Sequence, residues 1–258
     1  MNYRITIIGA GNVAWHLSQA LQKAGHEILQ ILCRTAKPAR ILSQKLNCGY
    51  STDIKKINPL ADIVLICVND DQIQKVANQI SAKNKIVLHT SGGIGMNVLK
   101  STSKQHGVLY VQLPFTKSVK LDLNSSSVFI QGSDALTRNA IKKLSKAISK
   151  KVYEVNDDQR KVIHIAAVFA NNFVHHLYVM AEQLLNEKEL PNDILKSLAR
   201  QEFSRLLSGN NLKKLQTGPA RRGEKILIAD HLKYLKTKPE YQKMYKMMSQ
   251  SIQNLHKE

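Results

Sequence analysis

Cysteine is scarce in this 258-residue chain. Its three cysteines, Cys33, Cys48 and Cys67, form an odd set with no Cys-x-x-Cys spacing. That excludes a disulfide framework, argues against a zinc or other metal site, and makes a reducing cytoplasm the expected setting. No uninterrupted apolar stretch reaches the roughly 20 residues of a membrane-spanning helix, so no membrane partner is expected. The opening MNYRITIIGAGN is too briefly apolar for a signal peptide and runs into a pair of glycines. Acidic residues are also few: 19 Asp and Glu stand against 38 Lys and Arg, a formal net charge of +19. The hydrophobic content of 43% and charged content of 22% are those of a globular protein, which excludes disorder and collagen-like structure. The length suits one large domain or two small ones. The charge leaves four readings open: nucleic acid, an anionic membrane surface, an anionic small ligand, or a lysine-rich surface with no particular partner.

What is present is an alternation. Residues 3–8, 27–33, 62–68 and 85–89 are short β-branched apolar runs that read as buried strands, and 107–111, 128–131 and 151–155 read as further strands. Helical spacing occupies 12–24, from about Pro38 to Leu46, 70–80 and 134–149, with Asp70 and Asp71 as candidate caps of the third. Strands separated by helices of this length imply right-handed crossovers and a doubly wound, mainly parallel α/β sheet of Rossmann type. After Val155 no strand appears. Asn156 and Asp157 open a long apolar helix over 158–187, whose Ile163, Ala167, Ala170, Val174, Leu177, Ala181 and Leu184 form one stripe. Pro191 opens another helix, closed by Gly209, Asn210 and Asn211. Residues 217–223 read as a loop and 224–236 as a helix, and Thr237 with Glu240 reads as a capping box for the last helix. The expected organisation is a cofactor-binding domain over 1–153 and a smaller all-α domain over 154–258 for substrate and dimerisation.

Gly9-Ala10-Gly11-Asn12-Val13-Ala14 fits G-x-G-x-x-A between a strand and a helix, the context that gives this pattern meaning. The first glycine permits the turn, the second lets a pyrophosphate approach the backbone, and the helix N–H groups bind it. The second strand ends in Cys33-Arg34-Thr35 with no acid to hold a ribose 2′-hydroxyl. Arg34 and Thr35 suit a 2′-phosphate instead, so NADP(H) is the expected cofactor. Val68 and Asn69, at another strand end, complete the expected cofactor set. His89 and Ser91 follow the next strand and are candidates for contact with substrate or the nicotinamide ribose, although His89 reads equally as a hydrogen-bonded strand-end histidine. On the long helix His164, Val168, Asn171 or Asn172, and His175 recur on one side. His164 is a candidate proton donor and Asn172 a candidate orienter of a carbonyl or imine. Arg221 and Arg222, in Thr217-Gly218-Pro219-Ala220-Arg221-Arg222-Gly223-Glu224, either clamp an anion or pair with acids at a helix junction.

These residues resemble a family. The glycine motif, Asn69-Asp70-Asp71, His89-Thr90-Ser91-Gly92, the run from Gln159-Arg160-Lys161 through His164 and Asn172 to His176-Leu177-Tyr178, and Thr217-Gly218-Pro219 with Arg222 are similar to bacterial Rossmann-like NADP oxidoreductases with an uncharacterised helical C-terminal domain. Pyrroline-5-carboxylate reductases, deazaflavin-dependent NADP reductases and 6-phosphogluconate dehydrogenase-like enzymes are related groups. The resemblance implies a cofactor domain plus a helical domain, an active site in the cleft between, and a homodimer formed through the helices. After Tyr110 the chain departs from the family, with Val111-Gln112-Leu113-Pro114-Phe115-Thr116 in place of Pro-Leu-Gln-Thr-Phe-Ser. The expected function is hydride transfer between the nicotinamide and a small carbonyl, imine or deazaflavin-type partner. A non-catalytic NADP(H)-binding regulator is the alternative. No helix-turn-helix, zinc-finger or aromatic RNA-binding motif supports nucleic acid. The first 153 residues hold 21 of the 38 bases and only 7 of the 19 acids, so the excess charge sits on the expected cofactor domain.

Overall fold

The computed structural model describes residues 2–209 and 211–257 and divides into two compact units, residues 1–171 and 172–258. The first is built on an eight-stranded sheet. Its strands are β1 (Arg4–Ile8), β2 (Glu27–Leu32), β3 (Gly49–Ser51), β4 (Ile63–Ile66), β5 (Ile86–His89), β6 (His106–Gln112), β7 (Ser127–Gly132) and β8 (Lys151–Glu154), in the order β3-β2-β1-β4-β5-β6-β7-β8. Every neighbouring pair is parallel except β6 and β7. The fold is therefore the mostly parallel Rossmann-like sheet that the alternation implies, with one antiparallel step.

Burial explains the central strands. In β1, Ile5 and Ile7 face one core layer and Ile8 the other, and every residue of β4 is buried, as a strand covered on both faces requires. On one face α1 (Asn12–Lys23), α2 (Ala36–Leu46) and α4 (Ala135–Lys146) bury Leu17, Leu21, Leu42, Leu46, Ile141 and Leu144. On the other, α3 (Asp70–Gln79) buries Ile73 and Ala77. Asn69 takes the cap position of α3, so Asp70 and Asp71 are its first helical residues rather than its caps. Helix α2 starts two residues before Pro38. The three-residue edge strand β3 and a 3₁₀ turn at Met96–Leu99 have no counterpart in the sequence reading.

Helix α5 (Asp157–Ala167) ends the first unit and opens on the expected cap, a reciprocal box between Asn156 and Gln159. A π-helical turn (Val168–Phe173) carries it into α6 (Val174–Asn186), and the division between the units falls inside that turn. A π turn inserts extra backbone into the helical ladder. The regular helical spacing read along the whole segment is therefore interrupted at residues 168–173. Over Asp157–Asn186 the chain is long and apolar enough to cross a membrane by length and composition alone. The same run carries a buried Arg160 and the polar His164, Asn171, Asn172, His175 and His176, which break its apolar stretches.

The second unit continues with α7 (Asp193–Leu207), α8 (Leu212–Leu215), α9 (Pro219–Arg222), α10 (Lys225–Tyr234) and α11 (Pro239–Leu255). Three expectations change here. Asn211 starts α8 by accepting from the Lys213 and Lys214 N–H groups, rather than closing α7; Asn210 lies outside the described residues. The stretch expected to be a loop at 217–223 contains the helical turn α9. Thr237 ends a 3₁₀ turn and does not cap α11, whose cap position is Lys238 with no side-chain bond. Large apolar side chains stay exposed throughout this region, among them Phe173, Leu198, Leu207 (85%) and Ile226 (90%).

Candidate functional site

The glycine turn is built for close approach. Gly9 has φ +118°, and a Cβ there would meet the Cys67 carbonyl oxygen at 2.1 Å, so the turn packs directly on the end of β4. Gly11 is the opposite case: a Cβ there would meet nothing within 4 Å. Gly11 caps α1 without a side-chain bond, and the first turn of α1 holds no acid. Its leading N–H groups, Asn12 and Val13 among them, thus form an uncapped, electropositive end. Ala10 and Ala14 are buried, which lets helix and strand pack closely. At the end of β2, Arg34 and Thr35 are exposed, and Arg34 forms no ion pair or hydrogen bond among the described residues. Thr35 caps α2, again without a side-chain bond and with no acid in the first turn. Val68 is half-buried and Asn69 exposed at the end of β4, beside the turn.

The segment after β6 reaches this turn, which the sequence did not reveal. The Asn12 side chain donates to the Phe115 carbonyl (2.9 Å), His16 Nε2 meets the Thr116 carbonyl (2.9 Å), and Lys117 Nζ donates to the Ala10 carbonyl (2.8 Å). These contacts place an ammonium group on the turn. The departure from the family pattern after Tyr110 therefore lies against the glycine turn.

The second cluster surrounds the loop after β5. His89 is 0% exposed; its Nδ1 accepts from the Ser91 N–H, and its Nε2 makes no hydrogen bond of good geometry among the described residues. Burial first, and then the Arg160 charge, push its pKa down to about 4. His89 is thus a neutral strand-end anchor in this arrangement, the structural alternative of the sequence reading. Ser91 is buried too, and its hydroxyl accepts from the Gly93 and Ile94 N–H groups to form the turn. Arg160 is 1% exposed. It donates to the Gln131 side chain, to the Ile94 carbonyl and to Asp157 (2.8 Å), and Asp157 in turn accepts from the Met96 N–H (3.1 Å). Arg160 and Asp157 thereby lash residues 94–96 to α5.

That anchoring delivers His164. Its Nδ1 lies 3.2 Å from the Tyr110 hydroxyl, with the two rings edge to face. A Cβ on Gly92 would come within 2.8 Å of both rings, so only glycine admits the pair; a Cβ on Gly93 would lie 3.6 Å from Asp70 Oδ2. Burial and then the Asp70 carboxylate hold the Tyr110 pKa above its ordinary value, so the phenol keeps its proton. When the phenol is the donor to Nδ1, the other ring nitrogen, Nε2, is left to face a ligand. Tyr110 and Asp70 join His164 here, and nothing in the strand pattern of 107–111 sets Tyr110 apart. Asn172 lies exposed on the π turn as the first residue of the second unit. In that unit Arg222 pairs in a bidentate manner with Glu224 (2.7 and 3.0 Å), which favours the junction reading for Arg222, while Arg221 is exposed. All three cysteines are free, and burial pushes the Cys67 thiol up to about 12. No group of three or more metal-ligating side chains occurs among the described residues.

The His89 anchor has a pH consequence. An unfolded histidine takes up its proton near pH 6.5, whereas the folded site resists until about 4. The unfolded state therefore binds more protons in that window, and His89's contribution to stability, complete above 6.5, falls as pH drops towards 4. Urea unfolding between pH 7 and 4 should show this slope, and His89→Gln should flatten it; an equal slope in both proteins would contradict the assignment.

Comparisons with known proteins place the chain in a family. Residues 4–93 match the family described as "NADP oxidoreductase coenzyme F420-dependent", and residues 126–252 match "Domain of unknown function (DUF2520)". The solved structure of "putative NADP oxidoreductase BF3122 from Bacteroides fragilis" is 33% identical, with a TM-score of 0.90, over 98% of this chain and 98% of that one. The chain belongs to the same family. More distant likenesses show the fold alone. 1-Pyrroline-5-carboxylate reductase from Streptococcus pyogenes is 13% identical with a TM-score of 0.67, over 98% of this chain and 99% of that one. The reductive aminase from Aspergillus terreus, solved with NADPH and ethyl-5-oxohexanoate, is 11% identical with a TM-score of 0.64, over 90% of this chain and 78% of that one. No curated protein matches the chain at a significant level.

Proposed function

We propose that this family member is an NADP(H)-dependent reductase or dehydrogenase acting on a small carbonyl, imine or deazaflavin-type substrate. The observation that carries the cofactor reading is the pairing of the uncapped α1 end at Gly11 with the acid-free end of β2 at Arg34. Gly9 to Val13 would hold the pyrophosphate, Arg34 and Thr35 the 2′-phosphate, and Val68 and Asn69 the inner edge of the dinucleotide. When bound, the nicotinamide supplies or accepts the hydride. What remains for the chain is a proton. Reduction of a carbonyl or imine places one on oxygen or nitrogen, and His164 Nε2–H, ordered from behind by Tyr110, is the donor; in the reverse direction the same atom takes it back. Gly92 keeps the donor pair in register, and the Arg160–Asp157 anchor keeps α5 on the loop.

The reading is tested by following NADPH absorbance with oxo acids, ketones, cyclic imines and a deazaflavin. Turnover with at least one class is expected. Tyr110→Phe should lower kcat about tenfold while leaving NADPH affinity unchanged, because it loses the hydrogen bond and keeps the ring. NADPH binding with no turnover in any class would instead make the protein a cofactor-binding regulator.

The exposed apolar side chains of the helical unit support a homodimer formed through that unit. Light scattering should give twice the 29.0 kDa chain mass. Ile226→Glu combined with Leu207→Glu should shift it towards one chain mass, and a monomeric native protein would contradict the proposal.

A further inference from the structure

A cleft of about 850 Å³ runs along the outer side of α1, lined also by the end of α2, the β6–β7 segment and the residues just after α4. Lys23, Lys45, Lys117 and Lys120 line it, and Asp122 is the one acid among its described residues. That acid is engaged, since it accepts from the Asn124 N–H at 3.0 Å. None of the four lysines forms an ion pair among the described residues, whereas Arg4, Lys142, Arg160, Lys196, Arg205, Arg222 and Lys238 each do. Two of the four are held in place: the Lys45 and Lys117 ammonium groups lie 5.4 and 5.5 Å from the centre of the Trp15 ring. A concave wall with four positive charges against one negative focuses a positive field, and ordering the cations beforehand lowers the entropy that an anion must overcome on binding.

We propose that this cleft binds a small polyanion of the di- or triphosphate type, and that its occupancy is sensed at the cofactor turn. The volume suits a compact ligand. The site is separate from the expected cofactor positions, because neither Gly9 to Val13 nor Arg34 and Thr35 line it. Helix α1 rises about 1.5 Å per residue, so Lys23 stands roughly 17 Å along the axis from Asn12. Lys117 is the link. The residue lines the cleft, and its ammonium donates to the Ala10 carbonyl, while its neighbours Phe115 and Thr116 hold Asn12 and His16. A polyanion that draws Lys117 off Ala10 alters the turn that binds pyrophosphate, and by linkage NADPH alters polyanion affinity by the same factor.

The test is calorimetric titration of the full chain with tripolyphosphate at about 0.15 M salt, with NADPH saturating so that the cofactor's phosphate positions are filled. One site per chain is expected. Lys23→Ala combined with Lys120→Ala should weaken it at least about tenfold and leave NADPH affinity, measured without polyanion, within about twofold. Saturating tripolyphosphate should change the wild-type NADPH Kd at least about threefold, and Lys117→Met should abolish that change. No saturable binding, unchanged affinity in the double variant, tighter binding of a single-stranded oligonucleotide, or an NADPH Kd indifferent to the polyanion would overturn the proposal. Repeating the titration without NADPH on Arg34→Ala separates failure of this site from failure of the cofactor reading.

Discussion

Gly9→Ala is expected to lower stability by about 3–5 kcal/mol, whereas Gly11→Ala should change it by less than about 1 kcal/mol. The two substitutions add the same methyl group two residues apart. At Gly9 the group would sit 2.1 Å from the Cys67 carbonyl oxygen, on a backbone with φ +118°. That combines the penalty of an L-residue in this region with displacement of the end of β4, one of the most buried strands. At Gly11, φ is −79° and nothing lies within 4 Å. Reduced freedom of the unfolded chain there offsets the poorer helix cap. The binding results should run the other way in the folded protein. Gly11→Ala should weaken NADPH at least about tenfold, because its methyl group fills the space that the pyrophosphate needs beside the amides. Urea unfolding checks the first quantity and an NADPH fluorescence titration the second. Native-like stability in Gly9→Ala, or native NADPH affinity in Gly11→Ala, would contradict this account of the turn.

Local chemistry made much of the fold legible. The glycine turn, the buried strands and the helices between them are written in short segments, and each appears within a few residues of its expected place. What stayed hidden depends on distant parts of the chain. Arg160 sits in a run of ordinary helical residues, yet its partners Gln131 and Ile94 lie 29 and 66 positions away. Tyr110 reads as a strand residue until Gly92 lets His164 approach it. Strand β3 is too short to show a period, and the reversed direction of β7 leaves no trace in an apolar run. The π turn is equally silent, because the residues of 168–173 carry ordinary helical spacing. At a strand end His89 reads equally as a ligand contact or an anchor, and its burial, which only the packed sheet supplies, favours the anchor.

Arg34→Ala is expected to weaken NADPH binding about ten- to a hundredfold and to leave NADH nearly unaffected. A charge-assisted hydrogen bond to phosphate contributes about 1.5–3 kcal/mol, and only NADPH carries the 2′-phosphate. Arg34 is exposed and makes no bond within the described chain, so its removal costs the fold little and the loss reads directly as lost ligand contact. Thr35 and the uncapped start of α2 remain in the variant and retain part of the phosphate affinity. Lys37 and Arg40 add charge nearby, which keeps the expected loss below that of removing the whole site.

The central claim, that this is an NADP(H)-dependent member of its family, is tested most directly by paired titrations of wild type and Arg34→Ala with NADPH and NADH at one ionic strength. The account predicts that wild type prefers NADPH by at least about tenfold and that the preference largely disappears in the variant. Equal affinities for the two cofactors in wild type, or an undiminished preference in Arg34→Ala, would contradict it.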